Sequence, residues 1–158
     1  MKTARFLQVI ICISIPLVIG GLSGLATTGA IDSWYATLNK PFFNPPNYIF
    51  GPVWTLLYVL MGISLFLIWK SPDGNLRNMA LAIFIIQITL NFVWSFFFFY
   101  FHWTAIALFD IVILWISIIL MIIAFLRIDK TAALFQIPYL LWVSFASVLN
   151  AAIWLLNK

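Results

Sequence analysis

Apolar residues along this chain fall into five long runs separated by short polar segments. A helix needs about 20 apolar residues to cross a hydrocarbon core of roughly 30 Å. The predicted helices cover about residues 4–25, 48–69, 79–101, 103–126 and 131–156. The pattern therefore predicts an all-α integral membrane protein, a single domain over 1–158. We expect a five-transmembrane-helix bundle with a long Pro-rich loop between helices 1 and 2.

The boundary between the third and fourth helices is the least marked in the pattern. Residues 79–126 are almost continuously apolar, and as one helix they would extend about 70 Å, at about 1.5 Å per residue. No bilayer accommodates that length, so a turn is required. We place the turn at His102, within an aromatic cluster.

The first helix and the loop after it each leave an alternative open. Lys2 and Arg5 followed by an apolar run resemble a signal peptide, but the run is long for one, which favours a retained helix. The 26–47 loop contains Pro41, Pro45 and Pro46. Proline fixes φ and restricts the residue before it, so the loop is predicted to be stiff. It is interpreted as a lid over the bundle, with a plain connector as the alternative.

Positive charges are distributed unequally between the two sides of the predicted bundle. Six of them lie on the side of the N-terminus, namely Lys2, Arg5, Lys70, Arg77, Arg127 and Lys130. The opposite side carries Lys40 and Lys158. Because basic loops stay cytoplasmic, we predict a cytoplasmic N-terminus and an external C-terminus.

Composition excludes several classes of function. The mean hydropathy is +1.14 and 8% of residues are charged, too few for a soluble domain. The net charge of +4 is scattered at helix ends, without the basic stripe of a nucleic-acid-binding protein. Cys12 and His102 are the single cysteine and histidine, which argues against a disulfide, a Cys-rich metal site or a hydrolytic constellation. We therefore expect no metal.

One acidic residue, Asp110, lies well inside a predicted helix. A carboxylate at that depth is costly, so it is either a functional group or a bundle-facing structural anchor. No basic residue lies at the same depth, and we expect Asp110 to bond hydroxyls, amides or an indole N–H. A lone carboxylate makes a proton relay the weaker alternative.

Polar groups and indoles from four helices converge in the external half of the bundle. Their depths, counted at about 1.5 Å per residue, are about 9 Å for Trp54, 15 Å for Asn91, 10 Å for Trp94, 10 Å for Asp110, 21 Å for Trp142, 15 Å for Ala146 and 9 Å for Asn150. Helical spacing also places several of them on common faces. Apolar and aromatic walls with few polar groups suit a flat apolar ligand. Ordinary helix packing is the alternative for any single residue.

A GxxxG motif, Gly20 and Gly24, lies in the first helix. It permits close helix contact, either within the fold or in a dimer.

Longer motifs link the chain to a known family. The first block is Trp34-Tyr35-x-x-Leu38-x-Lys40-Pro41-x-x-x-Pro45-Pro46, followed by Phe50 and Val53-Trp54-x-x-Leu57-Tyr58-x-x-Met61-Gly62. The later helices carry Asn91-x-x-Trp94-x-x-x-Phe98-Phe99, Asp110 and Pro138-Tyr139-Leu140-x-Trp142-x-x-x-Ala146-x-x-Leu149-Asn150. From about helix 1 to Asn150 the chain resembles the TspO/MBR family of tryptophan-rich sensory and translocator proteins, also called peripheral-type benzodiazepine receptors.

The resemblance implies a five-helix bundle, often a homodimer, in contact with membrane lipid. It implies a porphyrin ligand, protoporphyrin IX or haem-type, with no obligatory cofactor. The implied binding residues, together with Asp110 from the depth argument, are Tyr35, Pro45, Trp54, Asn91, Trp94, Trp142 and Ala146. Trp54 and Asn91 would contact a ligand carbonyl. The segment 148–154 lacks the tyrosine of the proposed cholesterol motif, which argues against cholesterol binding, and the chain resembles the bacterial-type members, which implies a bacterial cell membrane.

Three functions remain open at this point. The leading hypothesis is a porphyrin-binding sensory or regulatory protein. The second is an enzyme that degrades porphyrin with light and oxygen, for which Trp54, Trp94 and Trp142 are candidate redox-active residues. The third is a facilitator of transport for porphyrin or another hydrophobic ligand.

Overall fold

Helices make up most of the protein. The computed structural model describes residues 2–158, with side chains described from Arg5 onwards. The elements in chain order are α1 (Lys2–Ile31), α2 (Trp34–Thr37), α3 (Asn47–Trp69), α4 (Asn75–Ser95) with a π-helical turn (Phe96–Tyr100), α5 (Thr104–Leu126), α6 (Lys130–Leu134) and α7 (Ile137–Leu156).

Five spans within residues 2–158 are long and apolar enough to cross a membrane. Three are the helices α1, α3 and α5; the fourth is α4 with its π-helical turn, and the fifth is α6 with α7. The described residues contain no strand. The prediction of an all-helical protein with five apolar spans is therefore confirmed.

The predicted 26–47 loop is too long, because α1 continues to Ile31 and α3 begins at Asn47. The connection between them is residues 32–46, and it includes the short helix α2. Side-chain hydroxyls fold back onto the end of α1, where Thr27 Oγ1 donates to Ser23 O at 3.0 Å and Ser33 Oγ to Gly29 O at 2.6 Å. The helix therefore continues into polar residues beyond the apolar run. We call the end of the bundle next to residues 32–46 the connection end.

The chain turns between the third and fourth spans at residues 101–103, where the sequence placed a turn at His102. His102 has a φ of 59°, in the left-handed region that non-glycine residues seldom adopt. Ahead of it, the π-helical turn is closed by Phe101 N–H donating to Phe96 O at 2.9 Å, and by Trp103 N–H donating to Phe97 O at 2.8 Å.

The last span is interrupted rather than continuous. The Asp129 side chain caps α6 by accepting from the N–H groups of Thr131 and Ala132. A new helix, α7, starts at Ile137 with Pro138 in its first turn. Proline is tolerated there, since the first turn of a helix leaves its N–H groups unpaired. The helix predicted as continuous over residues 131–156 is thus broken between Leu134 and Ile137, just before Pro138.

Close packing seals the half of the bundle away from the connection end. A Cβ built on Gly62 of α3 would lie 2.4 Å from Ile13 Cα of α1, so these helices touch backbone to backbone. Ser64 Oγ donates to Ala132 O at 2.9 Å and ties α3 to α6. The central helix α5 packs against α4, α6 and α7. Its buried residues recur every three or four positions, as in Ile111, Leu114, Ile118, Met121 and Phe125.

Candidate functional site

A cavity of about 500 Å³ lies in the half of the bundle next to the connection end. Residues of α1, α3, α4 with its π-helical turn, and α7 form its walls, and Tyr35 of α2 closes its top. None of the described residues that line it carries a charge. Volumes of about 300–1,000 Å³ are usual for sites that hold small organic ligands.

Aromatic rings form much of the cavity wall, with Trp54 at the centre of one group. The Trp54 ring stacks on Tyr58 with centroids 5.5 Å apart and planes at 24°. It meets Trp142 edge to face, with centroids 6.4 Å apart. On α4, Trp94 stacks on Phe98 at 5.5 Å. Such rings offer flat, polarisable surfaces to a flat ligand.

A buried polar layer lies beneath the wall formed by Trp54. Tyr58 OH donates to Asn91 Oδ1 at 2.7 Å, and Asn91 Nδ2 donates to Tyr139 OH at 3.2 Å. Asn91 and Tyr139 are 1% and 0% exposed, so these bonds replace the water that the groups lose on burial. The layer joins α3, α4 and α7.

Two indole N–H groups differ in what they bind. Trp94 Nε1 donates to Asn150 Oδ1 at 3.1 Å, and Asn150 Nδ2 donates to Thr104 O at 2.9 Å. Trp142 Nε1 is buried and has no hydrogen-bond partner within the part of the chain that the structure describes. The Trp142 side chain lines the cavity, but Nε1 itself is buried, so Trp142 offers the cavity an aromatic surface rather than a hydrogen-bond donor.

The connection covers the cavity at the aqueous end. Tyr35 is 2% exposed, and its hydroxyl donates to Asn44 Oδ1 at 2.5 Å. Burial raises the pKa of Tyr35 to about 12, so the phenol stays neutral at physiological pH. Asn39 and Asn157 bond each other reciprocally at 2.9 Å, which ties the connection to the end of α7.

The structure brings together five of the eight predicted binding residues. The cavity lining includes Tyr35, Trp54, Trp94, Trp142 and Ala146. All three candidate redox-active tryptophans are among them.

Pro45, Asn91 and Asp110 lie outside the lining. The Asn91 amide is occupied by two tyrosines, which differs from the expected contact to a ligand carbonyl. The hydrogen bonds expected for Asp110 are not formed: the residue is 6% exposed, and its Oδ2 has no partner among the described residues. Its position on the α5 face that packs in the bundle explains its burial.

Sequence reasoning missed the contribution of α1 to the cavity. Gly20, Gly21 and Gly24 all line it. The GxxxG motif was the available signal, and the structure uses it within the fold, because a Cβ on Gly20 would lie 2.1 Å from the Tyr58 ring. Around Gly24 a Cβ would meet nothing within 4 Å, so that glycine leaves room in the cavity.

Comparisons with known proteins agree with this architecture. The family model described as TspO/MBR family matches residues 12–155. The chain is 43% identical to the tryptophan-rich protein TspO of Archaeoglobus fulgidus, over 97% of this chain and 99% of that protein. It is 36% identical to a tryptophan-rich sensory protein of Cereibacter sphaeroides, over 79% of each chain. It is 33% identical to the human translocator protein, over 77% of this chain and 73% of that one. With five apolar spans and a family match over most of its length, the chain belongs to the TspO/MBR family of integral membrane proteins.

Proposed function

We propose that this protein binds a porphyrin-type tetrapyrrole in the cavity and acts as a membrane sensory or regulatory protein. The observation that carries the proposal is an uncharged, aromatic-walled cavity of about 500 Å³ inside the bundle. A flat macrocycle buries its faces against the rings of Trp54 and Trp142, which line the cavity. Relatives named as sensory and translocator proteins support a role in signalling or handling a small molecule.

The test is a titration of the detergent-solubilised protein with protoporphyrin IX in the dark, followed by tryptophan fluorescence. Saturable quenching is the expected result, since several indoles border the site. Ala146→Phe fills the cavity and is expected to weaken binding about tenfold or more. Ala82→Phe, on an exposed face of α4, is the matched control and leaves binding unchanged. Equal binding by both variants, or no quenching of the folded wild type, contradicts the proposal.

A second candidate function is degradation of the bound porphyrin by light and oxygen. Its support is the grouping of three oxidisable rings, Trp54, Tyr58 and Trp142, in one wall. The titration is therefore repeated under illumination in the presence and absence of oxygen. A new absorption spectrum that needs both, and that is lost in Trp54→Phe with Trp142→Phe, supports the enzyme. A spectral change that survives both substitutions removes these residues from the chemistry.

We further propose that the connection end faces outwards and the N-terminus is cytoplasmic. Lys70, Arg77, Arg127 and Lys130 lie at the opposite end of the bundle, and basic residues favour the cytoplasmic side. A reporter fused after Lys158 is expected to be active only outside the cytoplasm. A reporter that is active in the cytoplasm would contradict the proposed orientation and leave the fold unaffected.

A further inference from the structure

The helices α1 and α3 touch at one end and separate at the other. Away from the connection end, Gly62 places the two backbones in contact. Half-way along, Gly20 lies against the Tyr58 ring. Towards the connection end, a Cβ on Gly21 or Gly24 of α1, or on Gly51 of α3, would meet nothing within 4 Å. The two helices therefore form a wedge with its open side at the cavity.

The open side of the wedge reaches the surface of the bundle. Gly21 and Thr28 of α1, and Gly51 and Thr55 of α3, line the cavity and are also exposed. All four belong to spans of membrane-crossing length, so the surface they reach is covered by lipid. We call this gap between α1 and α3 the lateral slit.

Two threonines of the cavity wall, Thr55 in the lateral slit and Thr27 beside it, bond their hydroxyls to their own helices. Thr27 Oγ1 donates to Ser23 O at 3.0 Å, and Thr55 Oγ1 donates to Gly51 O at 2.9 Å. A hydroxyl bonded within its own helix needs no partner from water or ligand. An apolar molecule passing these residues therefore breaks none of these hydrogen bonds.

Several contacts hold the connection over the cavity. Trp34 stacks on His102 with centroids 4.1 Å apart, which joins α2 to the turn before α5. The reciprocal bonds of Asn39 and Asn157 join the connection to α7. These contacts hold the connection against the bundle, whereas the lateral slit is open as it stands.

We infer that the ligand enters and leaves the cavity through the lateral slit, directly from the hydrocarbon of the adjoining leaflet. The inference rests on the proposed function and specifies the ligand class: flat molecules that partition into the bilayer before they bind. Any ionised group on such a molecule stays at the mouth near Asn47 and Tyr48, which line the cavity and are exposed, because no described lining residue offers a counter-charge.

The experiment measures both rate constants for protoporphyrin IX exchange between liposomes and the reconstituted protein by stopped-flow quenching. Gly21→Leu and Gly51→Leu narrow the lateral slit from either side. If the slit is the route, association and dissociation each slow by about tenfold or more. A substitution that merely crowds the binding site would instead leave the dissociation rate constant unchanged or raise it. Gly29→Leu is the control, since Gly29 lies on α1 in open space and outside the cavity lining.

A second arm locks the aqueous cover. Asn39→Cys with Asn157→Cys, in a Cys12→Ser background, is oxidised to a disulfide and checked by thiol titration. The inference expects both rate constants to stay within about twofold of the reduced form. Slowing that is reversed by reductant, or unchanged rates in both slit variants, overturns the lateral route while binding itself remains. Absence of binding in the wild type overturns the proposed function together with the route.

Discussion

Replacing Asn91 by leucine tests the polar layer beneath the cavity. Asn91 is 1% exposed and bonds the hydroxyls of Tyr58 and Tyr139, which lie on two other helices. Hydrogen bonds between helices within membranes contribute about 0.6 kcal/mol on average and at most about 1.7 kcal/mol. Losing two of them predicts a fall of about 1–3 kcal/mol in the free energy of unfolding.

The assay is reversible unfolding in mixed micelles of dodecyl maltoside and dodecyl sulfate, followed by far-UV circular dichroism. Thr89→Val is the control on the same helix, because Thr89 is exposed and its hydroxyl donates to its own helix at Ile85 O. The control is expected to change the free energy of unfolding by less than about 0.5 kcal/mol. A double-mutant cycle with Tyr58→Phe then isolates the Tyr58–Asn91 bond.

The reasoning is refuted if Asn91→Leu is as stable as the control, or if its effect adds to that of Tyr58→Phe without coupling. The Asn91→Leu variant also tests whether Asn91 has a structural role or contacts the ligand. Because the amide is already occupied and lies outside the cavity lining, porphyrin affinity of the folded variant is expected to change by less than about threefold. A much larger loss of affinity would place Asn91 in contact with the ligand.

Three further predictions follow from single contacts. Gly62→Ala forces α1 and α3 apart and is expected to lower the free energy of unfolding by about 1–3 kcal/mol, whereas Gly29→Ala, in open space, is tolerated in the same micelle assay. Asp110→Asn leaves porphyrin affinity unchanged in the fluorescence titration, since the side chain lies outside the cavity lining; a loss of about fivefold or more contradicts this placement. Burial raises the pKa of Tyr35 from 10.0 to about 12, so its neutral form stabilises the fold below pH 10 and that contribution disappears as the pH rises through 12. In Tyr35→Phe, the free energy of unfolding should therefore fall less steeply between pH 10 and 12. An unchanged pH profile would show that ionisation of the Tyr35 hydroxyl does not cause the loss of stability.

Hydrophobic runs predicted the five spans because each run must be long enough to cross the bilayer and no longer. They did not predict where helices end. The last turns of α1 contain polar residues such as Thr27, whose hydroxyl bonds the backbone of its own helix, and the polarity of these residues looks like a loop in the sequence. The break before α7 depends on the cap at Asp129 and on Pro138 occupying a first turn.

Depth along the helices placed Trp54, Trp94, Trp142 and Ala146 between about 9 and 21 Å from the external end, and they line one cavity. Depth alone does not tell which way a polar side chain points. Asn91 turns to two tyrosines because Tyr58 and Tyr139 approach it from other helices, a fact of tertiary packing. The contribution of α1 to the cavity was missed for a related reason. Glycines contribute no side chain to the pattern, and only the packed structure separates Gly20, which supports Tyr58, from Gly24, which leaves space.

The two halves of the bundle have different roles: the half next to the connection end holds the cavity, and the other half packs tightly. A helix pair that leaves a cavity of about 500 Å³ loses packing contacts there, and in a membrane no hydrophobic effect holds helices together in compensation. The contact at Gly62 and the bond from Ser64 to Ala132 supply packing in the other half. Between them, the Tyr58–Asn91–Tyr139 layer fixes the rings beneath the ligand. Residues of the sealed half should thus govern stability, and residues of the lateral slit should govern ligand exchange, because the polar layer separates the two regions.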